Sequence, residues 1–315
     1  MNQVVKIIDL KNLTPRIKVF RLAGINSKKL KAFSPGSHVV VEIPVGQKIY
    51  RNSYTLCSSS EQTDFYDLAV LLSDNSRGGS QYLHQSKIGT ELNISFPKNS
   101  FTLASFAKKY ILIAGGIGIT PYLSMMAYLS KNNILFELHY SVKSISECAF
   151  YNFIKHEYSP QTKFYFSELE EYISSTKVLK EQPLGTHVYL CAPHSLRKDF
   201  ITEAKSLGYP SSAIHQEIFG TKKANQKQSF TANLIKSKQK IVVAKDRTLL
   251  EALEAAKVPI NYSCRVGGCG ACEVKVIAGD IEHRDSYYST AEKAKQDRIL
   301  TCISRAKNQQ LTIDL

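Results

Sequence analysis

Four of the seven cysteines in the chain stand at Cys264, Cys269, Cys272 and Cys302, so that Cys-x4-Cys-x2-Cys is followed by a fourth thiol after a further 29 residues. This is the spacing found where four thiolates ligate a 2Fe–2S cluster. Gly267, Gly268, Gly270 and Ala271 leave the intervening loop nearly without side chains. Backbone can then wrap an inorganic core closely and aim N–H groups at its sulfurs. Four thiolates also make a structural zinc site, but those more often use paired Cys-x2-Cys knuckles and seldom such a glycine-rich loop. Cys57, Cys148 and Cys191 are isolated.

A second group of residues suggests phosphate chemistry. The string AGGIGITP, Ala114 to Pro121, sits where a predicted strand turns into a predicted helix. Gly115, Gly116 and Gly118 remove Cβ atoms there, so N–H groups at the helix start can approach a pyrophosphate. A turn serving only helix–strand packing would use the same glycines, and the string is not G-x-G-x-x-G. Upstream, Ser76-Arg77-Gly78-Gly79-Ser80 offers a charge, small residues and a hydroxyl, which are what a phosphate needs. A polar hairpin turn explains the same residues.

These strings must be positioned by elements whose rhythm changes along the chain. Through about residue 105 the runs IKVFRL, HVVVEIP, KIYRNSYTL, YDLAVLL and TELNISF are rich in β-branched and aromatic residues and separated by turn signals, the pattern of an antiparallel barrel. From Tyr110 strands alternate with helical segments of ten or more residues, which predicts a parallel sheet of βαβ units. After a lysine-rich stretch from Thr221 to Lys240 come a hairpin, a helix, the cysteine loop and further strands. Thr248 with Glu251, and Ser289 with Glu292, have capping-box spacing.

The 315 residues exceed one ordinary domain, and 43% hydrophobic with 22% charged residues is globular usage. The net charge of +14 comes from scattered lysines without an aromatic-rich basic motif, a solvated surface rather than a nucleic-acid site. The N-terminal stretch has no secretory pattern, and the longest apolar run, Ile111 to Ile119, is far short of a membrane span. The expected protein is cytoplasmic, monomeric and without membrane or nucleic-acid partners.

From about Phe230 to Leu315 the chain resembles a plant-type ferredoxin, although this segment carries 14 Lys and Arg against 10 Asp and Glu, a net of +4, where plant ferredoxins are typically acidic. Gly-Gly-x-Gly-x-Thr-Pro, ending in Thr120 and Pro121, resembles the pyridine-nucleotide motif of the ferredoxin reductase superfamily. In that superfamily Cys-Gly-Pro follows a later strand and its cysteine lines the place where nicotinamide meets flavin; here the string is Cys191-Ala192-Pro193. The superfamily's Arg-x-Tyr-Ser/Thr flavin motif has its counterpart in Arg51-Asn52-Ser53-Tyr54-Thr55, with the arginine one position early and Asn52 in its usual place. By resemblance Tyr54 and Thr55 meet the isoalloxazine, the Arg77 string holds the flavin phosphate, Glu217 lies near hydride transfer and Phe219 packs near the flavin. A buried structural Cys191 and an ordinary strand end at HQEIF are the plainer readings.

The order of the parts is similar to that of the phthalate dioxygenase reductase family over essentially the whole chain. The resemblance implies an antiparallel flavin barrel at 1–105, an α/β parallel-sheet NAD-binding domain at 106–220, a linker at 221–229 and an α+β, β-grasp ferredoxin domain at 230–315. It further implies FMN, because the ferredoxin is C-terminal and no obvious extra segment holds an adenine half, together with NADH and a 2Fe–2S cluster. The implied acceptor is the Rieske centre of a separate oxygenase component; a different monooxygenase or a second ferredoxin, and a redox-sensing module, are the alternatives.

Overall fold

The structure, a computed structural model, describes residues 2–46, 48–74, 78–219, 228–285 and 287–315. Its first sheet is antiparallel, built from β1 (Asn2–Asn12), β2 (Ile17–Gly24), β3 (His38–Val45), β4 (Lys48–Thr55), β5 (Phe65–Leu71) and β6 (Glu91–Ser95), with α1 (Gly79–Gln85) between β5 and β6. Their order is β4-β3-β6-β1-β2-β5. The sheet curls until its edges meet, where Leu56 just past β4 bridges Leu68 in β5 and the Cys57 N–H donates to the Asp67 carbonyl at 2.8 Å. Alternation explains the curl's interior: Val39, Val41 and Ile43 of β3 join Phe20, Leu22, Leu68 and Val70 in one core, each two residues from the next on one face of a strand. The sequence pattern predicts no strand at β1, yet its Val5 and Ile7 are fully buried. A bulge between Ile7 and Asp9 shifts its register, which blurs the period-two signal.

The second sheet holds β7 (Lys109–Gly115), β8 (Phe136–Val142), β9 (Thr162–Phe166), β10 (Thr186–Cys191) and β11 (Ile214–Gln216), in the order β11-β10-β7-β8-β9 with every pairing parallel. Helices α2 (Thr120–Lys131) and α3 (Tyr151–Glu157) cover one face, while α4 (Ser175–Leu179) and α5 (His194–Ser206) cover the other. Burial on both faces is why the strands read as continuous apolar runs. The predicted helix ECAFYNFIKHEY is trimmed at its start, because Phe150 takes φ 61° and precedes α3 in the left-handed region. Ile17 and Ala69 of the first sheet share a core with Leu112 and Tyr189 of the second and Tyr122 of α2. Both sheets therefore lie in one compact unit, Met1–Glu217, and Ile218–Leu315 form the other.

The second unit has a mixed sheet of β12 (Phe230–Leu234), β13 (Gln239–Val243), β14 (Glu273–Ala278), β16 (Arg298–Leu300) and β18 (Gln310–Ile313), a small pair of β15 (Ile281–Glu282) and β17 (Arg305–Ala306), and helices α6 (Leu249–Ala255) and α7 (Thr290–Ala294). Strands β12 and β18 run parallel while their other neighbours run antiparallel, and Leu249 and Leu253 of α6 pack into the same core as Phe230, Ile299 and Leu311. This is the expected β-grasp. Both capping boxes form: Thr248 with Glu251 starts α6, and Ser289 with Glu292 starts α7. Each satisfies N–H groups the helix leaves bare. No helix among the described residues is long and apolar enough to cross a membrane.

Candidate functional site

On β4, Tyr54 pairs with Val39 and Asn52 with Val41, so both side chains lie on the face of the barrel interior. Arg51, Ser53 and Thr55 alternate to the opposite face. There the Arg51 Nε donates to Glu42 Oε1 at 2.9 Å, in register across β3 and β4. The Asn52 amide donates to the Tyr54 hydroxyl at 3.3 Å. A Cβ on Gly79 would lie 2.3 Å from the Asn52 amide nitrogen, and one on Gly78, at φ +103°, would press on Val45. Gly78 and Gly79 and the Tyr54 string, far apart in sequence, thus meet where α1 begins. Ser80 is buried and its hydroxyl accepts from the Ser73 N–H at 3.2 Å. Arg77 lies outside the described residues. A helix rather than a bare turn follows Gly78, a feature missed in the sequence because GSQYLHQ offers a single turn of apolar spacing.

The parallel sheet reverses its winding between β7 and β10, and ligands of open α/β sheets bind at the carboxyl ends of strands at such a point. Both sequence motifs stand there. After β7 a 3₁₀ turn, Gly116–Ile119, leads into α2 with Pro121 in its first turn and no acidic side chain there, which leaves the helix N-terminus favourable to an anion. The glycines divide by role. A Cβ on Gly115 would lie 2.4 Å from the Pro193 ring and one on Gly118 would lie 1.9 Å from the Cys191 carbonyl oxygen, so packing requires both; Gly116, at φ +55°, faces open space. Thr120 is buried with its hydroxyl donating to the Ile117 carbonyl at 3.1 Å, and Tyr140 donates to the Gly116 carbonyl at 3.0 Å.

Cys191 ends β10, and the Glu217 N–H donates to the Leu190 carbonyl at 2.9 Å, so both candidate residues sit together at the mouth of the switch point. Burial pushes the Cys191 thiol well above its ordinary range, with the Glu217 charge adding to the effect and Arg197 opposing it. Cys191 is therefore a neutral thiol, unsuited to attack as a thiolate. Arg197, which sequence reasoning missed, is buried in α5 and donates to the Ala192 carbonyl and the Gln216 side chain, each at 2.9 Å. It ties the Cys-Ala-Pro turn to β11. Its place beside Leu196, Phe200 and Ile201 on the apolar face of α5 was the available signal. Phe219 is exposed, past the end of this unit at Glu217.

In the second unit the four thiols form two pairs, Cys264 facing Cys269 and Cys272 facing Cys302, each within hydrogen-bond reach. Among the described residues no three His, Cys, Asp or Glu side chains converge as one ion would require. Two pairs suit a diiron core, in which each iron takes two thiolates, better than a single tetrahedral zinc. Backbone donors complete the cradle. The Cys264 N–H points at the Cys269 sulfur at 3.4 Å and the Val266 N–H at the Cys264 sulfur at 3.5 Å. The Ala271 N–H is directed at the Cys269 sulfur and the Gly267 N–H at the Cys302 sulfur, and the Thr301 hydroxyl donates to the Cys272 carbonyl at 3.1 Å. The bond from the Cys264 thiol and the N–H groups of Cys264 and Ala271 hold Cys269 below the ordinary thiol range despite burial. Gly267 and Gly270 both have positive φ, and a Cβ on Gly270 would lie 2.5 Å from the Tyr287 ring. The residues present fit a 2Fe–2S cluster.

Residues 4–103 match the family described as "Oxidoreductase FAD-binding domain", and residues 233–307 match "2Fe-2S iron-sulfur cluster binding domain". The carnitine monooxygenase reductase subunit of Escherichia coli is 38% identical over 99% of this chain and 98% of its own length. The heme-dependent oxidative N-demethylase beta subunit of Ectopseudomonas mendocina is also 38% identical, over 99% of this chain and 98% of its own. Among solved structures, phthalate dioxygenase reductase, described as a modular structure for electron transfer from pyridine nucleotides to 2Fe–2S, superposes with a TM-score of 0.84 at 30% identity over 100% of this chain and 98% of that one.

Proposed function

Since the chain belongs to the phthalate dioxygenase reductase family and is an oxidoreductase with a flavin-binding and a 2Fe–2S domain, we propose that it carries electrons from NADH through FMN and the cluster to the Rieske centre of a partner oxygenase. The observation that carries this reading is the presence, in one chain, of a barrel-borne flavin motif, a nucleotide turn at a switch point and a loop of paired thiols. When bound, the flavin accepts a hydride's two electrons and releases them singly, the conversion that a one-electron cluster requires.

The chain's own residues bind and orient. Tyr54 takes the isoalloxazine with its ring and Thr55, whose side chain lies on the other face of β4, with its backbone, while Asn52, Arg77, Gly78, Gly79 and Ser80 take the flavin phosphate. Arg51, engaged with Glu42, and Ser53 brace β4 from its other face. Gly116, Thr120 and Pro121 shape the pyrophosphate seat, with Gly115 and Gly118 holding it against the Cys-Ala-Pro turn. Cys191 and Glu217 border the hydride-transfer position, Cys191 as a neutral filler that excludes water, and Phe219 shields the flavin. Cys264, Cys269, Cys272 and Cys302 hold the cluster. We further propose a cytoplasmic monomer divided at 1–105, 106–220, 221–229 and 230–315.

The test is anaerobic titration of the purified protein with NADH, followed by chromatography of the heat-released flavin and assay of iron and sulfide. One FMN, two irons and two sulfides per chain, all reducible, are expected. Recovery of FAD overturns the FMN assignment, and a chain with one zinc overturns the electron route. A second reading, a haem-containing acceptor, is favoured by the likeness to the N-demethylase beta subunit; reduction of a haem oxygenase but not of a Rieske component would select it.

A further inference from the structure

Asp285 is a carboxylate whose side chain is fully buried, at one remove from the thiol site. Two of its hydrogen bonds tie it to the segments that hold the thiols. The Ser304 hydroxyl, two residues past Cys302, donates to its Oδ2 at 3.2 Å. The Tyr288 N–H donates to its Oδ1 at 3.0 Å, and Tyr288 packs with Cys272 and Cys302 in one small core. On the loop side, a Cβ on Gly267 would lie 3.2 Å from the Asp285 Cα and 3.3 Å from its Cβ, and it is the Gly267 N–H that faces the Cys302 sulfur.

We propose that Asp285 is a positioning residue of the electron relay, whose carboxylate holds the Cys302 turn against the loop at Gly267 and whose charge, opposed by Lys293, sets how readily a cluster held by the four thiols would accept an electron. This rests on the cluster reading above. Burial pushes the Asp285 carboxyl up, but the Tyr288 N–H, the Lys293 charge and His283 outweigh it and hold the group below the usual carboxylate range; it is a standing negative charge. In a low-dielectric interior such a charge disfavours adding an electron nearby. Lys293 of α7 counters it, with its Nζ 2.6 Å from the Asp285 carbonyl oxygen and 3.7 Å from Oδ1. His283 completes the surround. Its Nδ1 stands 3.2 Å from Oδ2, and its buried Nε2 has no hydrogen-bond partner among the described residues. A patch kept only for stability is better filled by apolar side chains than by a charge and an unpartnered ring nitrogen.

The experiment is a potentiometric titration of the intact holoprotein, monitored by the cluster's paramagnetic signal, for the wild type, Asp285→Asn and Lys293→Gln. At the wild-type midpoint, Asp285→Asn should raise the ratio of reduced to oxidised site by about tenfold, 59 mV for a one-electron couple, and Lys293→Gln should lower it by a similar factor. Opposite shifts are not expected of a purely structural pair. Ratios within about twofold of wild type in both variants, or shifts of the same sign, overturn the proposal. If Asp285→Asn fails to retain iron and sulfide, Lys293→Gln decides alone, a fall supporting the proposal and no change overturning it. A wild-type protein lacking iron and sulfide would instead sink the cluster reading.

Discussion

A Cβ atom on Gly118 would lie 1.9 Å from the carbonyl oxygen of Cys191 and 3.2 Å from its sulfur, so the turn after β7 and the turn after β10 meet backbone to backbone. Gly118→Ala must push them apart. The expected loss of stability is ~1–3 kcal/mol, as for other overpacked interiors, together with a raised KM for NADH. An unchanged melting temperature with unchanged KM would show that the two turns are not held in this contact.

Cys269→Ser should leave flavin reduction by NADH nearly intact, because the residue belongs only to the thiol loop. Delivery of single electrons to cytochrome c or an oxygenase should fall by at least the roughly 10–100-fold seen when a metal ligand loses its supporting partner. Stopped-flow absorbance separates the two phases. Wild-type turnover with a physiological acceptor would rule out a route through the thiols.

Acid should weaken the barrel through His38. Burial, with the Lys98 charge adding, pushes its imidazole down to about 4. A histidine held neutral in the fold binds its proton more readily when unfolded, so its contribution is fully present above the unfolded value near 6.5 and is lost as pH falls towards 4. The loss is at most on the order of 3 kcal/mol. Urea midpoints measured from pH 7 to pH 4.5 should fall, and His38→Gln should flatten the slope; an equal slope in the variant would assign the acid sensitivity elsewhere.

NADH should be preferred to NADPH. Where β8 ends, Val142-Lys143-Ser144 would meet the adenosine ribose by family resemblance, and no arginine stands in that stretch to grip a 2′-phosphate with two bonds. Lys143 is exposed there with its carbonyl accepting from the Glu168 N–H at 3.0 Å. Comparable kcat/KM values for the two cofactors would refute the preference.

Electron delivery to the oxygenase should slow as ionic strength rises to about 0.2 M, where the Debye length drops below ~10 Å. The motive is the net +4 of residues 230–315 and the lysines from Thr221 onward, of which 221–227 lie outside the described residues; charge of this kind steers an encounter with an acidic patch more than it fixes affinity. Rates that stay flat across that range, with the internal flavin-to-cluster step also unchanged, would mean the lysines only solvate the linker.

The thiol loop was legible by itself because its chemistry is local: Cys264, Cys269 and Cys272 span nine residues of one loop, and Gly267 and Gly270 between them are dictated by backbone that must bend at positive φ. The capping boxes at Thr248 and Ser289 were legible for the same reason, since each closes within four residues. Alternating strands and helices likewise revealed the parallel sheet from Tyr110 onward. What spacing could not reveal is anything settled by residues far apart in the chain. Only the folded sheet showed that Gly115 and Gly118 are required by Pro193 and Cys191 while Gly116 alone opens onto space. Alternation along the predicted strand already puts Asn52 on the Tyr54 face, but only the pairing of β3 with β4 brought Arg51 opposite Glu42, since a one-residue slip in register would change its partner and its face. The pairing of Cys272 with Cys302, and the burial of Asp285 between Gly267 and Ser304, were decided by the tertiary packing that closes loops of tens of residues, a contact that local sequence pattern does not encode.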